Sequence, residues 1–182
     1  MSQTLSEERQ KVIDALNEAR GLELNAITQY MNHHYNLAAM DYGDMAAKVK
    51  LIAIDEMRHA ELFAERIEEL GGQPTTAPSG KAVKGLDVNE LFSSDRNLEA
   101  GAIDAYNRFL SICRENGDST SAKLFETVID EEQIHYNYFE IVVDHIAKLG
   151  DSYLAQIAGT PSATGIQYQG FVSRQTGAQQ DG

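Results

Sequence analysis

The chain has 182 residues, a length that suits one domain, since single cores commonly run to about 100–200 residues. Apolar residues make up 42% and charged residues 24%, which excludes a fibrous or wholly disordered chain. With 28 Asp and Glu against 15 Lys and Arg, the formal charge of -13 argues against nucleic acid and favours cations as partners.

The chain opens on MSQTLSEER, which is polar, and no apolar run approaches the roughly 20 residues of a membrane span. A cytoplasmic protein with no membrane partner is expected. Helical periodicity begins after Ser6, with Glu7 and Glu8 in the first turn, and runs over 6–38. Further helices are predicted over 44–70, 87–116 and 119–149. Gly150 reads as a helix end and Asp151–Ser152 as the cap of a short helix at 152–158. Strand signals are absent. The only cysteine, Cys113, excludes an internal disulfide and any paired-cysteine metal site, and reads as a small buried hydrophobe.

The connections at 39–43 and 117–118 are short, so the helices they join should be antiparallel neighbours. The middle connection, GGQPTTAPSGKAVKG at 71–85, differs. It has turn chemistry and can stretch about 50 Å, enough to return along a 28-residue helix of about 42 Å. The fold expected is all-α: a ferritin-like four-helix bundle with one long crossover and a short fifth C-terminal helix, formed by residues 1–158. Residues 159–182, rich in Gly, Ser, Thr and Gln, read as an extended or disordered tail with no assigned function.

A shift of 76 residues lays ELNAITQY (23–30) on EAGAIDAY (99–106), Glu56 on Glu132, His59 on His135 and Phe63 on Phe139. The two halves therefore read as copies of one helix pair. Within each helix a glutamate sits in the apolar stripe. Glu23 lies among Val12, Leu16, Ala19, Ile27, Tyr30 and His34; Glu56 among Met45, Val49, Ile52, Ala60, Phe63, Ile67 and Leu70. Glu99 lies among Val88, Phe92, Ile103, Tyr106, Leu110 and Cys113; Glu132 among Phe125, Val128, Tyr136, Phe139, Val143 and Ile146. His59 and His135 share their glutamates' faces through Glu-x-x-His.

Burying an unpaired carboxylate costs several kcal/mol, so four converging ones need protons or cations. No lysine or arginine stands in the stripes at these levels. Two Fe(II) ions carry the charge that four carboxylates and two neutral imidazoles would balance, the ligand pattern known for ferritin-like di-iron proteins. A lone Glu-x-x-His means little on a helix; four core glutamates with paired histidines argue for a di-metal site.

ELNAITQY, IDEMRHAE (54–61), SSDRNLEAGAIDAY (93–106) and IDEEQIHYNYF (129–139) resemble bacterioferritins, above all those of anaerobic bacteria, from about residue 6 to 158. The resemblance implies an iron-storing ferroxidase that oxidises Fe(II) with O2 or H2O2 and deposits ferric mineral in a hollow shell of about 24 subunits, built from two-fold dimers. It implies Glu23 and Glu99 as terminal ligands, Glu56 and Glu132 as bridges, and His59 and His135 as ligands of one iron each. An electron-donor protein for iron release is a further implied partner. Tyr30 and Tyr106 stand within reach of the ligands, either to hydrogen-bond them or to pack the core. Leu51 and Phe63 occupy positions where some relatives carry a histidine and a tyrosine, so those accessory roles are not expected. His33 and His34 read as satisfied or surface histidines rather than ligands. The alternative to a storage protein is a non-storing di-iron peroxidase or oxidase of the rubrerythrin-like class; a rubrerythrin itself would need cysteine pairs.

Met57 follows Glu56 and so points about 100° away from the di-metal face. Its equivalent in the second half is Gln133, so the di-metal architecture does not itself require a methionine there. Leu24, Met31, Thr28 and Ile54 form an outward stripe suited to a subunit contact. By resemblance, Met57 binds haem iron, with one porphyrin shared between two subunits on a two-fold axis.

Overall fold

A computed structural model of the chain describes residues 2–162 and 170–172, with side chains from residue 7 onward. Its elements are α1 (Ser2–Ala39), α2 (Gly43–Glu69), α3 (Val88–Glu115), α4 (Ser119–Leu149) and α5 (Asp151–Ile157). The helices fall within a few residues of the expected spans. α1 begins at Ser2 rather than after Ser6, because a polar terminal turn can extend a long helix at little cost. At the other end Gly150, with φ 53°, flanks α5, which places Asp151 in its first turn and not at its cap.

Side chains fix the starts of the second helix pair. Asp87 accepts from the Glu90 amide at 2.9 Å while Glu90 accepts from the Asp87 amide at 3.1 Å, a reciprocal cap of α3. Asp118 caps α4 through the Ser121 amide and also accepts from Arg66 at 2.9 Å, which ties the end of α2 to the start of α4. The crossover runs back along α1 as its length allowed. Thr75 and Gln73 bond to Asn17, the Ser79 amide donates to Gly21 O, and Val83 exchanges two hydrogen bonds with Gln29.

Two apolar clusters hold the bundle. One includes Leu16, Phe63, Tyr106 and Phe125; the other includes Met45, Ile52, Phe92 and Phe139. On every helix the glutamate of interest lies in sequence between the residues of one cluster and those of the other. The four carboxylates thus form a polar layer sandwiched between apolar ones. Each fully buried large side chain contributes about 1.5–3 kcal/mol, so the two clusters together can offset a polar layer between them. Ile27, Ile103 and Tyr136 depart from the expected stripes: each is only half-buried and outside both clusters, Ile27 lining an outer cleft, while Val143 is half-buried against the core and Val142 is buried in it. Cys113 is fully buried, and burial pushes its thiol up to about 12. Of the expected tail, residues 159–162 and 170–172 lie within the described part; Phe171 and Val172 are buried.

Candidate metal centre

Glu23, Glu56, His59, Glu99, Glu132 and His135 are all at most 2% exposed and converge at mid-bundle. Their donor atoms form two groups, each within 4.8 Å: Glu23, Glu56, His59 and Glu132, and Glu56, Glu99, Glu132 and His135. Glu56 and Glu132 belong to both. The shared pair comes from the second helix of each repeat, and the unshared Glu23 and Glu99 from the first.

Both imidazoles turn Nδ1 inward. His59 Nδ1 lies 3.0 Å from Glu56 Oε2, 3.2 Å from Glu132 Oε1 and 3.6 Å from Glu23. His135 Nδ1 lies 3.2 Å from Glu132 Oε2 and 3.1 Å from Glu56 Oε1. One ring nitrogen carries one proton or one lone pair and cannot satisfy both oxygens. Glu56 Oε1 and Glu132 Oε1 accordingly have no hydrogen bond despite these short approaches. A buried carboxylate oxygen left without a donor is costly, and a cation shared between the two groups would satisfy both. The donor set of carboxylate and imidazole suits non-haem iron.

The charges bear the same mark. Burial first, then the Glu132 and Glu56 carboxylates, hold Glu23 and Glu99 well above the usual carboxylate range. Burial would lower both histidines, but the Glu132 charge acting on His59 and the Glu56 charge acting on His135, with their hydrogen bonds, outweigh it and raise both. Glu132 goes the other way: burial raises it, yet the His59 charge, the His135 hydrogen bond and the close approach of both imidazoles hold it below the usual range. Protons and metal ions therefore compete for the same atoms.

Tyr30 donates to Glu99 at 2.5 Å and Tyr106 to Glu23 at 2.6 Å, which resolves the open choice between packing and hydrogen bonding: each tyrosine does both. Behind the histidines stand two carboxylates that the sequence reading passed over. His59 Nε2 donates to Glu131 at 3.0 Å and His135 Nε2 to Asp55 at 3.4 Å. Such partners fix the tautomer that leaves Nδ1 free for a metal. The signal was available, because Asp55 and Glu131 correspond under the same shift of 76 residues.

His33 and His34 take no part in the cluster. His34 Nδ1 lies 2.8 Å from Ala46 O, and buried His33 pairs with buried Asp95 at 2.7 Å while accepting from Gln29 at 2.6 Å. Burial pushes Asp95 up to about 6 although the His33 hydrogen bond works against it. Met57 is 48% exposed on the outer side of α2, beside a cleft of about 430 Å³ that Leu24, Ile27, Ala60 and Ala64 also line.

A family model described as a ferritin-like domain matches residues 13–149. The chain is 56% identical over 173 residues to the bacterioferritin of Desulfovibrio desulfuricans, covering 95% of this chain and 97% of that protein. It is 37% identical to the bacterioferritin of Streptomyces coelicolor, over 81% of this chain and 89% of the relative. Among solved structures, that of the D. desulfuricans bacterioferritin, described with its diiron site in different catalytic states, aligns with a TM-score of 0.88 at 55% identity, covering 94% and 99% of the two chains. The bacterioferritin BfrA of Mycobacterium tuberculosis aligns with a TM-score of 0.77 at 34% identity, covering 81% of this chain and 93% of that one.

Proposed function

We infer the function from one premise: this chain belongs to the ferritin-like family, among the bacterioferritins. It is an iron-storage ferroxidase. Fe(II) is its substrate, and we assign that substrate to six side chains of this sequence. Glu23 and His59 hold one iron, Glu99 and His135 the other, and Glu56 and Glu132 bridge both. The carrying observation is that the two four-residue groups overlap in Glu56 and Glu132, each of which keeps one buried oxygen without a hydrogen bond.

Two Fe(II) give up two electrons, which with two protons reduce O2 to H2O2, or H2O2 to two waters. The chain's own part is to position the irons and handle protons. His59 and His135 release a proton from Nδ1 when they ligate and keep Nε2–H on Glu131 and Asp55. Glu23 and Glu99, held protonated by burial, also release protons, and Tyr30 and Tyr106 keep donating to them. Loading the wild-type protein with Fe(II) under O2 should oxidise two Fe(II) per subunit rapidly and build a ferric core visible by electron microscopy. Rapid oxidation by a small oligomer with no core would favour a non-storing di-iron oxidase.

The family implies a multimeric shell, for which we propose 24 subunits in two-fold pairs, about 24 being the size taken from the resemblance. No helix among the described residues is long and apolar enough to cross a membrane, and we propose a cytoplasmic location with an electron-donor protein for iron release. We further propose haem at Met57. Its side chain is exposed beside a cleft lined by Leu24, Ile27, Ala60 and Ala64 together with Arg20 and Glu61, and a second copy packed over it would complete a porphyrin site. Bound haem would supply an electron path between the outside and the irons. Met57→Leu should lose haem, from about one per two subunits to none, while keeping assembly and Fe(II) oxidation. An unchanged haem spectrum in that variant would remove Met57 from the site.

A further inference from the structure

Helices bound most of the metal centre, but the chain's C-terminal segment closes one side. After α5 the Gly159 amide donates to Asp41 O at 2.9 Å and Thr160 Oγ1 accepts from the Asp44 amide at 2.9 Å. Gly43 lies so near the backbone of Thr160–Ser162 that a Cβ there would overlap it. The segment is thus pinned to the turn between α1 and α2. It returns at residues 170–172, twelve residues along α2 at Asp55, a distance of about 18 Å that the eight intervening steps can span.

There Val172 donates its amide to Asp55 Oδ2 at 3.0 Å, and Gly170 presses so close to the same carboxylate that a Cβ would collide with it. Phe171, 5% exposed, sets its ring edge-on to His135 with centroids 6.3 Å apart. Asp55 is 0% exposed and also accepts from Arg58 at 3.1 Å, besides receiving His135. A fully buried carboxylate needs such donors to keep its place. Its counterpart Glu131 has a side chain 34% exposed, so it can take donors from water. The two ligand histidines therefore have unlike backing: one carboxylate is open, the other is closed by the tail.

We propose that Gly170–Val172 is a positioning element of the metal centre, holding Asp55 behind His135 and excluding water there, so that metal leaves the His135 position more slowly than the His59 position. The proposal rests on the assignment of the six ligands. Partners of metal-bound imidazoles typically change affinity by about 10–100-fold, and exclusion of water strengthens every charge interaction inside.

Cobalt(II) is a suitable probe because its visible absorption reports ligand geometry without iron oxidation. The full chain should bind two Co(II) per subunit and release them to a chelator in two phases. A variant ending after residue 169 should bind the same number in the same assembly, with an altered absorption envelope and a slow phase about 10-fold faster. Gly170→Val in the full chain should do likewise, since its side chain cannot fit against Asp55. Asp55→Asn added to the truncation should change release less than it does alone, because both act through one carboxylate. Wild-type release in a single phase, or unchanged release and spectrum in both tail variants, would overturn the proposal. Should the truncated chain not assemble, Gly170→Val and Phe171→Ala decide it, unchanged release again being fatal. Fewer than two Co(II) bound by the wild type would instead sink the ligand assignment, and this proposal with it.

Discussion

Residues 23–59 and 99–135 make the same contacts in mirror roles: Tyr106 reaches Glu23 as Tyr30 reaches Glu99, and Glu131 backs His59 as Asp55 backs His135. Away from the ligands the halves part. The first carries His33, paired with Asp95 and held by Gln29, where the shift of 76 residues puts Phe109, Ala19 and Ala105, all buried in an apolar cluster. It also carries Met57 where the second has Gln133. The halves are alike at the six proposed ligands and their hydrogen-bond partners and differ elsewhere, so a difference between halves marks a role that a di-iron site would not impose.

The largest effect should come where the halves are most alike. Glu56→Ala and Glu132→Ala each remove a carboxylate common to both groups, so each should abolish rapid Fe(II) oxidation, read by stopped-flow absorbance. One variant retaining the wild-type rate would break the symmetry at its centre. The next effect tests the divergent pair. His33→Phe leaves buried Asp95 without its partner and should cost about 3–5 kcal/mol in denaturant unfolding. His33→Phe with Asp95→Ala copies the Phe109 and Ala19 of the other half and should recover most of that loss. A double variant as unstable as the single one would mean that the apolar solution does not transfer.

Protonation sharpens the comparison at the ligands. Glu23, Glu99, His59 and His135 all hold protons more tightly folded than unfolded in protein stripped of metal. The glutamates lose stability as pH rises above 4.5, where the unfolded chain ionises first. The histidine contribution is complete below 6.5 and is lost as pH climbs through the raised folded values. Lowered Glu132 acts oppositely, but its contribution is already complete above 4.5. Stability against thermal unfolding should thus fall with rising pH by about 1.4 kcal/mol per pH unit for each extra proton held. Stabilisation by added metal should grow over the same range. A metal-induced rise in melting temperature that does not change with pH would contradict this. The smallest effects concern the two tyrosines: Tyr30→Phe and Tyr106→Phe should each cost about 1–2 kcal/mol of stability, and by like amounts. A clear inequality would show that one glutamate has another donor to turn to.

The convergence of the six side chains was legible because each glutamate interrupts an apolar stripe whose period is local, and the 76-residue shift then matched the residues in pairs. The crossover was legible from its length and turn chemistry. Contacts between distant residues were not: nothing in the chain announces that His33 meets Asp95, 62 residues away, or that Val172 meets Asp55, 117 residues away. Asp55 and Glu131 precede their ligands by one residue, which on an isolated helix points them off the ligand face; only the facing helix gives them a histidine to hold. Ile27 fits the core stripe by angle, yet it lines the outer cleft with Leu24 and Met57.

The single cysteine carries a consequence of a different kind. Cys113 is fully buried near the end of α3, and its thiol is held far above the range in which thiolate forms near neutrality. A maleimide added to the native protein can react only during rare excursions that open the cluster around Cys113 and expose the sulfur. Labelling is then a clock for opening at the end of the bundle remote from Asp55 and the tail. With one thiol per subunit, each chain takes at most one label, so the growth of the labelled fraction with time reports the opening. Run with and without bound iron, the same clock would tell whether metal at mid-bundle quiets motion at a distant end or only its own surroundings.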